Sequence, residues 1–153
     1  MRNADFLASP QGYLVQKTVK RSFTFEGIGL HTGANAIVKL NPAPPNHGIV
    51  FEKVDLKKSV RIPATHETVV CTALATSLGL AGRPETRIST VEHLLAALYA
   101  MGVSNVHVEI SGPEIPILDG SALPFIDSIF ATGLTIQPFS TPVLKVVKPI
   151  KIY

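Results

Sequence analysis

Only two segments of this chain carry the apolar spacing of an α-helix, and the strand-like segments around them restrict the fold most. Helical spacing occurs in 87–102 and in 121–133, where Ser121 is a candidate N-cap and Gly133 a stop signal. Alternating or β-branched apolar residues predict extended segments at 14–27, 35–48, 49–56, 59–64, 103–112 and 142–153. Segment 67–80 is ambiguous, because its Thr and Val residues favour a strand and its alanines a helix, and we prefer the extended interpretation. Several strands followed by helix, strand and helix predict an α+β fold rather than repeated βαβ units.

The predicted arrangement is a sheet that combines strands from the two ends of the chain, with both helices on one face. Residues 1–14 are predicted to be a loose lead-in, 81–88 a hairpin-like connection into the first helix, and 114–121 a loop. The last segment, 142–153, is a strand with no later partner in this sequence, so we expect it to open further structure.

Composition and charge argue against several classes of protein. The 153 residues are 46% hydrophobic and 16% charged, which is enough apolar material for a sizeable core. Scattered basic residues and a formal net charge of +3 do not indicate a nucleic-acid-binding surface. No segment has the pattern of a secretory signal or a transmembrane span. Because Cys71 is the single cysteine, the sequence predicts a cytoplasmic protein in a reducing compartment.

The helix predicted at 89–101 has two different apolar faces. A stripe that faces the core is formed by Val91, Leu94, Leu95 and Leu98. His93 lies nearly opposite this stripe, and its helical neighbours are Ala96, Ala97 and Ala100. A solvent-facing side would normally carry Lys, Glu or Gln, so the alanines predict a second packed face, with the histidine at an interface or in a cleft.

The adjacent Glu92 and His93 allow more than one interpretation. Ser89 and Glu92 have the S-x-x-E spacing of a capping box, in which the glutamate bonds back to the serine backbone. The histidine is either a hydrogen-bonded core residue or a metal ligand. The pair is not the HExxH motif, because there is one histidine here rather than two a turn apart.

Two loops contain further polar candidates. The glycines of GIGLHTG permit a tight turn that presents His31, although a plain hairpin with an exposed histidine fits as well. These glycines miss the G-x-G-x-x-G spacing and do not open a helix, which excludes a dinucleotide site. Glu114 and Asp119 lie in the EIPILDGS loop, where Asp119 or Ser121 could simply cap the following helix.

Several stretches together resemble the N-terminal half of the UDP-3-O-acyl-N-acetylglucosamine deacetylase family, the zinc-dependent enzymes of lipid A synthesis in Gram-negative bacteria. The resemblance extends over about 15–138 and rests on GIGLHTG, NPAPPNHGIVFEKVD, CTALATSLG and RISTVEHLLAALYAMGVSNVHVEISGPEIPILDGSALPF. The combination of TVEHLLAAL with EIPILDGSA is its most specific part. The resemblance implies a fold of two similar β-α-α-β halves whose helices are sandwiched between two sheets.

The resemblance also implies residue roles. Glu92 matches the general base that takes a proton from the zinc-bound water, and His93 matches one of three protein ligands to Zn²⁺. The implied substrate is UDP-linked acylated N-acetylglucosamine, whose acetamide is hydrolysed to release acetate. His31, Thr68 and Cys71 match positions near the catalytic cleft or the substrate.

The sequence departs from the family in lacking the second half. An H-x-x-x-D pair of zinc ligands, a further catalytic histidine and the insert for the acyl chain are not found here. The resemblance therefore divides the chain into 1–14, an N-terminal half at 15–138, and a linker with the first strand of a second half at 139–153. We expect the isolated chain to be inactive, either as part of an enzyme completed by a second-half polypeptide or as a non-catalytic remnant that binds a partner or a nucleotide sugar.

Overall fold

A computed structural model of the chain describes residues 15–141 and 147–152. Within them lie ten strands: β1 Val15–Val19, β2 Phe23–Ile28, β3 Asn35–Pro42, β4 Ile49–Lys53, β5 Val60–Pro63, β6 Val69–Cys71, β7 Ser77–Leu80, β8 Arg83–Ile88, β9 Val106–Ser111 and β10 Leu134–Ser140. The same residues form two α-helices, α1 Glu92–Ala100 and α2 Leu123–Thr132, and a short 3-10 helix at His66–Thr68. The predicted α+β class is confirmed. No described helix is long and apolar enough to cross a bilayer.

The largest sheet has five strands in the order β2-β3-β9-β4-β5. The central strand β9 is antiparallel to β3 and parallel to β4. The alternation predicted for 103–112 is confirmed, because Val106, Val108 and Ile110 are fully buried and the residues between them are not. Burying such a side chain stabilises the fold by roughly 1.5–3 kcal/mol, so a one-residue slip in register would expose all three at once.

Both helices pack on the same face of this sheet. Leu94 and Leu98 of α1 share one apolar cluster with Phe125 and Ile129 of α2 and with the inward residues of the sheet. The ring of Phe25 in β2 meets that of Phe125 edge to face, with 4.9 Å between ring centroids. The prediction of two helices on one face is therefore confirmed.

The two ends of the described chain meet in a separate sheet, formed by β1 and β10 in antiparallel pairing. Strands from the two ends do combine, as expected, but the partner is 134–140 rather than the predicted strand at 142–153. Of that segment, 142–146 and 153 lie outside the described residues, and 147–152 belong to no strand. The lead-in predicted at 1–14 also lies outside the described residues.

One predicted strand needs correction, and two other segments agree with the sequence. Segment 14–27 is not one strand, because the chain bends at 20–22 and sends β1 and β2 into different sheets. The hairpin-like connection predicted at 81–88 is confirmed, because β8 pairs antiparallel with β7, in a third sheet that also contains β6. Gly82 makes the β7–β8 turn possible with a φ of 74°. Extended structure in 67–80 is confirmed by β6 and β7, which follow the 3-10 helix.

The helix boundaries and faces agree with the sequence in most respects. Gly133 ends α2 with a φ of 82°, as its position predicted. The N-cap of α2 is Ala122 rather than the predicted Ser121. Ser121, one residue before the cap, accepts a hydrogen bond from the Leu123 N–H through its Oγ (3.1 Å). In α1, Ala97 is buried in the core instead of lying on a second face, whereas Ala96 and Ala100 are exposed in the described chain.

Candidate active site

Glu92 is the first residue of α1, and its carboxylate binds a neighbouring loop. The backbone N–H of Thr76 donates to Glu92 Oε2 (3.0 Å). The N–H of Ser89, which a capping box would join to the glutamate, donates instead to the carbonyl of Pro113 (3.0 Å). The capping-box interpretation is therefore wrong. Among the described residues nothing bonds to the other carboxylate oxygen, Oε1, so it is available to accept a proton.

His93 is half-buried beside the fully buried Leu94, so the helix fixes its backbone while part of its ring reaches the surface. Its imidazole forms no hydrogen bond or ion pair with any residue that the structure describes. The interpretation as a hydrogen-bonded core histidine is therefore wrong. A neutral imidazole without a protein partner keeps a nitrogen lone pair for an external ligand.

Glu114 lies just behind this helix start and is fully buried. The hydroxyl of Thr90 donates to Glu114 Oε1 (2.6 Å), and both the N–H (2.9 Å) and the hydroxyl (2.8 Å) of Thr32 donate to Oε2. The N–H of His31 lies 3.2 Å from each oxygen. Burial raises the pKa of this carboxyl, but the hydrogen bonds outweigh it and lower the pKa to about 2. The group is therefore a charged carboxylate held by neutral donors.

The glycine loop at 29–33 is folded over Glu114. A hydrogen bond from the N–H of Gly33 to the carbonyl of Gly29 (3.0 Å) closes the turn, and Gly33 has a φ of 61°. A Cβ atom at Gly29 would lie 2.3 Å from Glu114 Oε2, so only glycine lets the carboxylate approach. The His31 side chain is exposed beyond this turn, as the glycine pattern predicted.

The two remaining candidates lie around β6. Cys71 is a half-buried free thiol paired across the strands with Ser77, next to the Thr76 that binds Glu92. Thr68 ends the 3-10 helix, and its hydroxyl lies 2.5 Å from the carbonyl of Pro63 and 3.0 Å from that of Thr65. The strand partner of Cys71 is thus the residue that follows Thr76, the backbone donor to Glu92. The Thr68 hydroxyl, in contrast, donates to carbonyls of its own turn.

The described residues supply only part of a metal site. No group of three or more His, Cys, Asp or Glu side chains suited to a metal ion occurs within 15–141 and 147–152. Glu92 and His93 offer a carboxylate oxygen and an imidazole nitrogen, both ligand types that zinc accepts. Catalytic zinc takes three protein ligands, so the pair fits one side of such a site and needs ligands from elsewhere.

Sequence reasoning missed the residues that organise this region. Glu114 was assigned only to a loop, and neither Thr76 nor Thr90 was singled out. One signal was present: Glu114 is the only charged residue in the stretch 113–118, PEIPIL, where an apolar environment predicts a buried and therefore hydrogen-bonded carboxylate. Its partners could not be found that way, because two of them lie 82 and 83 residues earlier.

Sequence comparisons identify relatives of this chain. A sequence model of the UDP-3-O-acyl N-acetylglycosamine deacetylase family matches residues 16–153. A UDP-3-O-acyl-N-acetylglucosamine deacetylase of Myxococcus xanthus is 47% identical over 137 residues, which are 90% of this chain and 43% of that protein. The proteins of the same name from Citrifermentans bemidjiense and Legionella pneumophila are 45% and 42% identical over 91% and 90% of this chain, and 45% and 44% of their own length. The chain thus spans less than half the length of the curated relatives it matches, and it belongs to the UDP-3-O-acyl N-acetylglycosamine deacetylase family.

Proposed function

We propose that this chain supplies the N-terminal half of a zinc-dependent deacetylase that hydrolyses the acetamide of UDP-3-O-acyl-N-acetylglucosamine in lipid A synthesis. One observation supports this most: the Thr76 N–H, and not its own helix cap, binds Glu92, and the imidazole of the next residue, His93, bonds to none of the residues that the structure describes. A carboxylate fixed through one oxygen, next to a free imidazole, is the arrangement that a general base beside a metal ligand requires.

Each residue has a defined task in this proposal. His93 would hold Zn²⁺ through its free imidazole, with the remaining ligands supplied from outside the described residues. Zinc, when bound, would acidify the attacking water and polarise the acetamide carbonyl. Glu92 would accept the water proton at Oε1 while the Thr76 N–H holds Oε2. His31 and Cys71 would border the substrate, and Thr68 would shape the edge of the cleft through its turn.

The activity of the whole enzyme needs more than this chain. Its coverage of 43–45% of the relatives' length matches one half of a two-half enzyme. We therefore assign 15–138 to the N-terminal half and 139–153 to the linker and first strand of a second half, a strand that 147–152 would form only when the second half is present. We expect the isolated chain to be inactive. A free thiol at Cys71 favours the cytoplasm as the site of the reaction.

The test combines this chain with the part of the Myxococcus xanthus relative that it does not cover, either fused or as two polypeptides. Acetate release and zinc content are measured for the pair and for each part alone. We expect release from the pair only. Glu92→Gln should keep zinc and lose roughly a hundredfold or more in turnover, whereas His93→Ala should lose zinc and turnover together.

Glu109→Gln is the matched control, because Glu109 lies on the outer face of the sheet near Asn41 and Lys39, away from the helices. It should behave like the wild type. Undiminished turnover in Glu92→Gln would show that this carboxylate is not the base. A pair that binds no zinc would contradict the metal assignment.

A second candidate function is partner binding, which does not by itself require turnover, and exposed apolar residues on α1 favour it. Tyr99 is 89% exposed, and Ala96 and Ala100 are exposed beside it. An apolar groove lined in part by Tyr99, Ala100 and Val103 adjoins them. The occupant we propose is a second-half polypeptide, since the chain covers under half of its relatives.

Light scattering tests this surface. Wild-type chain should self-associate or bind a hydrophobic dye, and Ala100→Glu should reduce both and prevent assembly with the second half, because it would bury an unpaired charge. A monodisperse, dye-free wild type and an Ala100→Glu variant that still assembles would exclude the surface as an interface.

A further inference from the structure

We propose that Glu114 is a positioning residue, whose buried carboxylate fixes the His31 loop against the start of α1 and thereby sets the place of Glu92. This inference rests on the proposed function, because it assigns a role within the same site. Glu114 touches neither Glu92 nor His93 in any hydrogen bond of the described chain, so its effect is transmitted through the residues that it holds.

The loop side of the contact is made by three donors from two adjacent residues. The N–H of His31 and the N–H and hydroxyl of Thr32 all point at the Glu114 carboxylate, at distances of 2.8 to 3.2 Å. Gly29 lets the loop lie directly on the carboxylate, because any side chain there would collide with it. The Glu114 carboxylate therefore fixes the position of the loop.

The helix side of the contact is made by Thr90, two residues before Glu92. Thr90 has a φ of 58°, a left-handed conformation that is strained for a β-branched residue. Its hydroxyl donates to Glu114 Oε1 at 2.6 Å, in a fully buried position. This charge-assisted bond stabilises the strained backbone from which α1 departs. Without it, Thr90 would relax, and the first turn of the helix would turn with it.

Backbone hydrogen bonds hold Glu114 itself between the same two regions. The N–H of Ile115 donates to the carbonyl of Ser89 (3.0 Å), and the N–H of Ile117 donates to the carbonyl of Ile28 (3.0 Å). The segment 113–117 is therefore joined on one side to the residues before α1 and on the other to the residues before the glycine loop. The Glu114 side chain completes this connection where the candidate catalytic residues emerge.

The alternative is that Glu114 stabilises the fold without affecting the geometry at Glu92. The hydrogen-exchange rate of the Thr76 amide distinguishes this alternative from a positioning role. Its N–H donates to Glu92 Oε2, and its carbonyl accepts the N–H of Val91 (3.2 Å). Hydrogen exchange at this amide therefore reports whether Glu92 is held in place. Exchange at Val108, in the central strand, reports global unfolding in the same sample.

The decisive variants are Thr90→Val and Thr90→Ser. Valine keeps the branched shape and removes the hydroxyl donor, whereas serine keeps the donor. In Thr90→Val we expect exchange to rise about tenfold or more at the amides of Thr76, His31 and Thr32, relative to the change at Val108. Thr90→Ser should stay within about twofold of the wild type. Glu114→Gln should raise exchange at the same amides as Thr90→Val does. Its matched control, Glu109→Gln, should exchange like the wild type.

The second readout is kinetic and uses the chain assembled with the complementary part of the Myxococcus xanthus relative. Because a displaced base slows the chemical step, Thr90→Val should lower kcat roughly tenfold with KM within about twofold, and Thr90→Ser should restore kcat. Zinc content should stay unchanged in both variants, since neither removes a ligand.

The outcomes separate this inference from the proposed function. Thr76 exchange that follows Val108 in Thr90→Val, or equal kcat for Thr90→Val and Thr90→Ser in an enzyme that depends on Glu92, overturns the positioning role alone. An assembled enzyme whose turnover does not depend on Glu92 contradicts the proposed function, and the exchange data then decide by themselves whether Glu114 fixes the carboxylate. Faster Thr76 exchange with a serine-rescued kcat supports both.

Discussion

Two glutamates in this molecule remain charged by different means. Glu114 is fully buried, and its donors are backbone N–H groups and hydroxyls; no ion pair among the described residues involves it. Glu52, on the outer face of the large sheet, accepts hydrogen bonds from Ser59 (2.5 Å) and Arg61 (3.0 Å), and its Oε2 lies 3.1 Å from His107 Nε2. Its pKa is lowered first by the Ser59 hydroxyl and then by Arg61.

The comparison shows that oriented dipoles can hold a buried charge where no cation is present. It also predicts that the two carboxylates contribute unequally to the free energy of unfolding. Thr90 is buried, so removing the Glu114 carboxylate leaves the Thr90 hydroxyl unsatisfied in the interior, whereas the donors of His31 and Thr32 lie in an exposed turn. The partners of Glu52 include an exposed arginine that water can solvate instead. The following predictions use this contrast, from the largest expected effect to the smallest.

Glu114→Ala should lower the free energy of unfolding by about 3–5 kcal/mol, because it leaves the buried Thr90 hydroxyl without its acceptor and removes the bond that offsets the strain at Thr90. Urea unfolding of the full chain measures this change. Glu52→Ala is the matched control and should cost about 1 kcal/mol. Similar losses of unfolding free energy in the two variants would contradict the expected difference between the two carboxylates.

Acid should weaken the fold through the same group. The folded pKa of Glu114, about 2, lies below its ordinary value of 4.5, so its contribution is fully present above that value and is lost as the pH falls towards 2. The difference corresponds to about 3 kcal/mol. Unfolding free energies across this pH range should fall less steeply in Glu114→Gln, which has no proton to take up. A parallel pH dependence in both proteins would assign the effect to other carboxylates.

Gly29→Ala tests the close approach on which the Glu114 contact depends. The added Cβ would meet the carboxylate and the Thr32 hydroxyl at 2.3 and 2.7 Å, so the loop must shift. We expect a loss of about 1–3 kcal/mol in unfolding free energy, as in other overpacked sites. Gly48→Ala provides a control for the glycine substitution itself, since a Cβ there meets nothing within 4 Å, although its φ of 74° adds backbone strain. An unshifted NMR signal of the His31 N–H in Gly29→Ala would argue against this close contact.

Glu52→Gln should have the smallest effect, within about 1 kcal/mol, because the amide oxygen can still accept from Arg61 and the site is partly solvated. The ionised carboxylate should matter less at high salt, and urea unfolding at low and high ionic strength measures this. A loss as large as that of Glu114→Ala would mean that the outer cluster with His107 is more important than its exposure suggests.

Local pattern predicted much of the fold. The alternation around β9, the helical spacing of α1 and α2, and the stop at Gly133 are short-range features, and each is confirmed. The division of 14–27 into two strands could not be read in this way, because it depends on β1 finding its partner in β10 more than a hundred residues later. Ala97 was misassigned for a similar reason: the small side chain suits a tight contact on either face, and its burial in the core that the two helices share with the sheet decides which.

For the candidate site, the sequence by itself determined which residues are present: an adjacent Glu92 and His93 at a helix start, a glycine turn around His31, and the motifs that identify the family. The tertiary structure alone decided how they are held. Glu92 could have capped its own helix, but the Thr76 N–H from another segment binds it instead. The physical reason is that a carboxylate accepts from whichever donors the fold brings within 3 Å, and those donors are distant in sequence and cannot be inferred from local periodicity.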